Sequence, residues 1–246
     1  MLVTLATRTF TPEPTAAALR LGALARALAT GGDRVQVLTS RLAPSVARDA
    51  RQFADGGVES GEGHGFVSVR RAPVLRDRTG AVRGYVSYLS FDLPLVARLV
   101  VGPRPGVVVS EPPPTTGAAV RIACAARRVP YVYYCADIVS DAAAMAGVPR
   151  PVVRAVATLE SFALRGARRV IAVSDGVARR ARDLGAARVC VVPNGVRVPS
   201  AAAEGVPEGF PSCQGPVFAY TGTVAPWLAP EVFIDAFERA RPRLGD

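Results

Sequence analysis

The run LESFALRGARRVIAVSDGVARRARDLGAARVCVVPNGV, residues 159–196, holds two strands and the helices that precede them. RVIAVS (Arg169–Ser174) and RVCVVP (Arg188–Pro193) are short and apolar on consecutive residues, the pattern of strands buried on both faces. Helices are predicted at about 150–166 before the first strand and 176–184 between the two. Ser174 and Asp175 fit the capped start of the second helix. Strands separated by helices must pair in parallel through right-handed crossovers. This segment therefore predicts one end of a parallel, helix-covered sheet.

The same alternation extends back to the N-terminus. LVTLAT (2–7), RVQVLTS (34–40), FVSVRRA (66–72), GVVVS (106–110) and YVYYCA (131–136) read as further strands. After the first strand a helix is apolar at Leu21, Leu24, Ala25 and Leu28 and stops at Gly31-Gly32. Another helix is predicted at about 115–128. The fold class is α/β, a doubly wound, mostly parallel, Rossmann-like sheet. Beyond Val198 the pattern lapses into Pro, Gly, Ala and Ser, and residues 199–215 read as a linker. VFAYTG then starts a new strand, followed by a helix over Glu231–Arg239. One strand and one helix cannot bury a core alone, so 216–246 is expected to be the first βα unit of an incomplete second domain, after a first domain at 1–198.

Composition narrows the function classes. Half of the 246 residues are hydrophobic, enough for a sizeable core, and the formal net charge is +10. All 30 basic residues are arginine, which fits either GC-rich coding bias or a basic face for phosphates or anionic lipid. Nucleic acid is not expected, because the arginines are spread over many helices with few aromatics among them. The single histidine, His64, excludes a His-based metal cluster or a Ser/His/Asp triad within the chain, and no metal or cofactor is predicted. Cys124, Cys135, Cys190 and Cys213 lack metal spacing and read as reduced thiols. MLVTLATRTF does not resemble a signal peptide and no apolar run reaches spanning length, so a cytoplasmic location is expected.

In an open α/β sheet, ligands bind beyond the carboxyl ends of the strands. After the first strand, RTFTPEPTAA supplies Glu13 and Thr15, the latter also placed to cap the first helix, whose amides suit an anion. It is not a GxGxxG fingerprint, which disfavours nicotinamide chemistry. After the fourth strand, SEPPPTTG places Glu111 at the sheet edge, as a hydroxyl acceptor or a solvated loop acid. After the fifth, YYCADIVSD places Asp137 where strand opens into loop, as a functional acid or a helix cap. Ser174 and Asp175 follow the sixth strand, and Asn194 and Gly195 form a turn after the seventh. YTGT brings Gly222 and Thr223 to the matching edge of the second domain.

Together these segments resemble the family-four retaining glycosyltransferases of GT-B architecture. The run quoted at the outset is similar to the end of their N-terminal domain, with its E-x-F helix, its IAVS-x-G turn and its V-x-PNGV strand exit. YVSYLSFDLPLVARLVV, RPGVVVSEPPPTTG and RRVPYVYYCADI resemble the subgroup that builds bacterial surface polysaccharides on lipid carriers, and FAYTGTVAPW resembles the start of the C-terminal domain. The resemblance implies transfer of a sugar, of hexosyl type, from a nucleotide-sugar to a glycan or lipid-linked acceptor. Glu111 and Asp137 would contact the acceptor or transferred sugar, while Ser174, Asn194 and the Gly222 turn would line the cleft. The chain departs from the family at Ala136, where many members carry His before the Asp, and at Arg197, where an acid is common. The family's donor-binding basic pair and Glu-x7-Glu motif have no counterpart here, so the chain alone is expected to be weak or inactive. Two alternatives are a binding module acting with a separate donor-domain chain and a GT-B nucleotide-sugar epimerase.

GYVSYLSFDLPLVARLVV also allows a peripheral membrane contact. Tyr85, Tyr88, Phe91 and Leu95, between Arg83 and Arg98, could form an amphipathic face. The competing expectation is a helix packed on the sheet and interrupted at Pro94.

Overall fold

The computed structural model describes residues 1–44, 46–47, 65–77, 82, 84–195, 217–220 and 229–244. His64, Cys213, Arg197, the 199–215 segment, Gly222, Thr223, Arg83 and the Tyr85 side chain lie outside the described residues.

Seven strands form one sheet: β1 (Leu2–Ala6), β2 (Arg34–Ser40), β3 (Phe66–Ala72), β4 (Val107–Ser110), β5 (Tyr131–Cys135), β6 (Arg169–Ala172) and β7 (Val189–Val191). Their order is β3-β2-β1-β4-β5-β6-β7, and every pairing is parallel. The helices are α1 (Ala16–Thr30), α2 (Tyr85–Val101), α3 (Pro114–Arg127), α4 (Val139–Met145), α5 (Arg150–Gly166), α6 (Asp175–Asp183) and α7 (Pro230–Leu244).

The two faces of the sheet are covered separately. On one, Leu21, Ala25 and Ala29 of α1 pack against Val3, Leu5, Val35 and Val37. On the other, Phe91, Leu95 and Leu99 of α2, Val120 and Ala123 of α3, and Ala163 and Leu164 of α5 pack over Leu38, Val108 and Tyr133. Residue size sets the closest approach: a Cβ on Gly117 of α3 would stand 2.6 Å from the Tyr133 ring and 2.8 Å from the Ala163 methyl.

Three expectations need correction. Helix α2 is not interrupted at Pro94, which sits inside a 17-residue helix on its exposed side. There solvent can satisfy the carbonyl that proline leaves unbonded. The proposed amphipathic face is inward: Phe91 and Leu95 are buried and Tyr88 lies beneath Arg8. Finally, residues 217–220, expected as part of a strand, join no sheet among the described residues. They meet α7 through Phe218–Phe237 and Tyr220–Phe233 ring contacts, with centroids 5.6 and 6.5 Å apart.

Candidate functional site

The connection after β1 leads to α1 on one face, and the one after β4 leads to α3 on the other. Adjacent strands whose connections diverge in this way leave a crevice at their carboxyl ends. A pocket of about 150 Å³ occupies it, with Thr7, Arg8, Arg20, Glu111, Ala136 and Asp137 in its wall. Glu111 and Asp137, separate in sequence, therefore meet in one pocket.

Glu111 is the buried member, with only 5 % of its side chain exposed. Arg20 Nη2 donates to its Oε1 at 2.8 Å, and the Thr7 hydroxyl lies 3.2 Å from its Oε2. Burial pushes this carboxyl above the ordinary carboxylate range, while Arg20 and Thr7 oppose the rise. Asp137 stands at the mouth. Surrounding protein also pushes its carboxyl up, against the pull of Arg20, but its tip is open to water, which screens both influences. Arg20 thus holds the two acids in relation, its guanidinium 5.8 Å from the Tyr134 ring centre.

Arg8 forms the opposite wall. Its guanidinium lies 3.8 Å over the Tyr88 ring, and its Nη1 is buried with no acceptor among the described residues. Burial lowers its pKa, and Tyr88, Asp92 and Glu111 resist that shift. Asp92 sits behind, buried on α2, and accepts from Thr116 Oγ1 at 2.6 Å. Thr7, Arg8, Arg20 and Tyr88 were not foreseen as site residues. The signal for Arg8 was its place immediately after a buried strand; for Arg20 it was a charge beside the apolar stripe of α1.

The remaining candidates are placed as follows. Glu13 is buried and turned into its own loop, where Oε2 accepts from Phe10 N at 2.9 Å. That loop is strapped to the edge strands by Arg71, which donates to Thr11 O at 2.6 Å and Ser40 O at 3.0 Å. Thr15 caps α1 by accepting from Ala18 N at 3.1 Å. Ser174 caps α6 by accepting from Val177 N at 3.3 Å, and Asp175 opens that helix in solvent. Ser174 and Asp175 stand outside the pocket. Gly176 and Val177 beside them share a second, shallower cavity of about 300 Å³ with Asp137 and Arg180. Asn194 and Gly195 are exposed beyond β7, away from the two acids.

The Asp137 loop is anchored from below. Glu160 of α5 is fully buried, and its carboxylate accepts from Val139 N at 2.9 Å, Ser140 N at 3.2 Å and Ser140 Oγ at 2.6 Å. It thereby caps α4, whose own preceding residue, Ile138, cannot. Arg180 of α6 grips Asp141 with Nε and Nη2 at 2.8 and 2.9 Å, a two-pronged bond tying α4 to α6. Among the described residues no three His, Cys, Asp or Glu side chains converge as a metal site. Cys124 and Cys135 are buried free thiols, each pushed up to about 12 by burial.

A family model described as a glycosyl transferase 4-like domain matches residues 15–195. The chain belongs to that family. Among solved structures it is similar to sucrose-phosphate synthase from Thermosynechococcus elongatus, at 13 % identity and TM-score 0.53, over 79 % of this chain and 48 % of that one. It is also similar to UGT89C1 of Arabidopsis thaliana complexed with UDP-L-rhamnose, at 14 % identity and TM-score 0.51, over 84 % and 55 %. HepE of Anabaena in complex with UDP-glucose gives 18 % identity and TM-score 0.50, over 80 % and 44 %. The chain thus spans about half the length of these structures, and at such identities the likeness is one of fold. No curated protein matches the sequence.

Proposed function

We propose that this chain is the acceptor-side domain of a retaining glycosyltransferase, with residues 216–246 opening a donor-side domain. The complete enzyme would transfer a hexosyl group from a nucleotide-sugar to a glycan or lipid-linked acceptor, at the cytoplasmic side of the cell. The observation that carries the proposal is the convergence of Glu111, Asp137 and Arg20 at the β1/β4 crevice of a glycosyl transferase 4-like domain. The UDP-sugar complexes of HepE and UGT89C1 support a nucleotide-sugar as donor.

The chemistry assigned to this half is positioning. Asp137, open to the mouth, accepts a hydrogen bond from an acceptor hydroxyl and orients its oxygen. Arg20 favours the ionised, accepting form of both acids, and Glu111 fixes Arg20. No covalent nucleophile is assigned. The test is sugar transfer by the full-length protein purified from its source cells, assayed with UDP-sugars and a lipid-linked glycan fraction. Acceptor-dependent UDP release that falls with Asp137→Asn is expected. Conversion of the nucleotide-sugar with no acceptor present would favour the epimerase instead.

A further inference from the structure

Helix α2 presents an outer face unlike those of its neighbours. The solvent sides of α5 and α6 carry Arg154, Arg179, Arg182 and Asp183, as a surface helix should. Along α2 the outward positions are Val86, Leu89, Leu93, Ala97, Val100 and Val101, with no charge among them. Val86 is 71 %, Leu93 67 % and Val101 86 % exposed. The opposite side is already used, since Phe91, Leu95 and Leu99 fill the core. So α2 is apolar on both sides along some 25 Å, although only one side is buried.

The charge around this stripe is mostly positive. From Phe66 to Ser110 the sequence has seven arginines and two acids, Asp77 and Asp92, and Asp92 is buried beneath α2. Beside the last turn of α2, a groove of about 410 Å³ is walled by Arg70, Arg98, Ala97 and Val101. Arg98 Nη2 donates to the Arg70 carbonyl at 3.0 Å, and neither guanidinium is paired with a carboxylate among the described residues. Exposed Arg104 and Arg128 follow at the same end, where Arg104 Nη2 donates to Arg128 O at 3.2 Å.

We propose that the outer face of α2 docks on an anionic phospholipid bilayer, its apolar stripe in the interface and Arg70 and Arg98 on lipid phosphates. A protein partner would be expected to bring acids at fixed points, whereas a bilayer supplies apolar depth and diffuse negative charge together. The first turns of the same helix supply Tyr88, which supports Arg8 in the pocket wall. Docking would therefore hold the crevice beside the membrane surface, where a lipid-linked acceptor resides. The proposal rests on the glycosyl-transfer reading for its purpose, but its measurement needs neither donor nor acceptor.

The experiment is cosedimentation of the chain with sucrose-loaded vesicles. Uptake is expected on vesicles of equal phosphatidylglycerol and phosphatidylcholine, with little on phosphatidylcholine alone, and it should weaken as salt rises. Leu93→Glu should weaken binding about tenfold or more by removing one buried aliphatic group. Arg70→Gln and Arg98→Gln should each weaken it about fivefold. Leu19→Glu, equally exposed on α1 at 64 %, should change nothing. Leu93, Arg70 and Leu19 are exposed and Arg98 is half-buried, so unchanged circular dichroism is required of each variant to separate loss of docking from loss of fold. Wild-type chain that ignores anionic vesicles, or Leu93→Glu that binds as well as wild type, overturns the proposal. So does a Leu93→Glu chain that loses only self-association in sedimentation velocity, which would make the stripe a contact between copies. Each result leaves the transfer assay independent.

Discussion

Replacing Arg20 by Met tests whether the pocket is held together by the Arg20–Glu111 ion pair. The substitution keeps most of the aliphatic stem and removes the guanidinium, leaving Glu111 buried with the Thr7 hydroxyl as its remaining hydrogen-bond partner among the described residues and Arg8 across the pocket. Breaking a buried pair from one side costs roughly 3–5 kcal/mol, because the remaining charge has lost its solvent and its partner. Arg20 keeps 17 % of its side chain exposed, so the lower end, about 3 kcal/mol, is expected. For a chain of this size that corresponds to a melting temperature lower by roughly 6–12 °C.

The pH dependence identifies the cause. Burial already places the folded Glu111 pKa above its unfolded value, and removing Arg20 raises it further. A carboxyl raised in this direction contributes stability that is complete below the unfolded pKa and is lost as pH rises through the folded one. The Arg20→Met deficit should therefore be small in acid, below the ordinary carboxylate range, and should widen towards neutral pH. Adding Glu111→Gln removes the stranded charge and should recover part of the loss at neutral pH. Calorimetric melts of wild type, both single variants and the double variant at two pH values complete the cycle. A deficit that is the same in acid and at neutral pH, or a double variant no better than Arg20→Met, would refute this account.

Four other substitutions separate positioning from packing. Glu160→Gln places an amide NH₂ among three donors, and one unpaired buried N–H should cost about 1–3 kcal/mol, read as a lower melting temperature; an unchanged melt would remove Glu160 as the anchor of the Asp137 loop. Gly117→Ala gains helix propensity of about 1 kcal/mol but drives a methyl into Tyr133 and Ala163, so a net loss of about 1–2 kcal/mol is expected in denaturant unfolding. Tyr133→Phe should stabilise by about 1 kcal/mol in the same assay, because the fully buried hydroxyl has no hydrogen-bond partner among the described residues. Asp137→Asn, at a solvent-open position, should leave stability within about 0.5 kcal/mol while lowering transfer by the complete protein.

The sheet was legible because each strand announces itself locally. Val35, Val37 and Leu38 crowd apolar side chains into four residues, and the strand predicted at 34–40 is the one found. Parallel pairing followed from the intervening helices, and the carboxyl edge as the site followed from parallel pairing. Glu111 and Asp137 were thus found by their positions after strands, with no knowledge of what lies opposite. What could not be read was pairing across the chain. Arg20 and Glu111 are 91 residues apart, and Glu160 lies 20 residues from Ser140. Nothing local says which partner such a residue will meet.

The direction of α2 was left open for a related reason. A helix with apolar residues on both sides gives a weak signal of which side is inward, so a helix packed on the sheet and an outward aromatic face both stood as expectations. Packing resolves the ambiguity: Phe91 and Leu95 fit over Leu38 and Val108, and the aliphatic remainder turns outward. An apolar stripe there costs solubility and adds nothing to the core. Beside Arg70 and Arg98, neither of which is paired with a carboxylate among the described residues, such a stripe fits the docking surface proposed above.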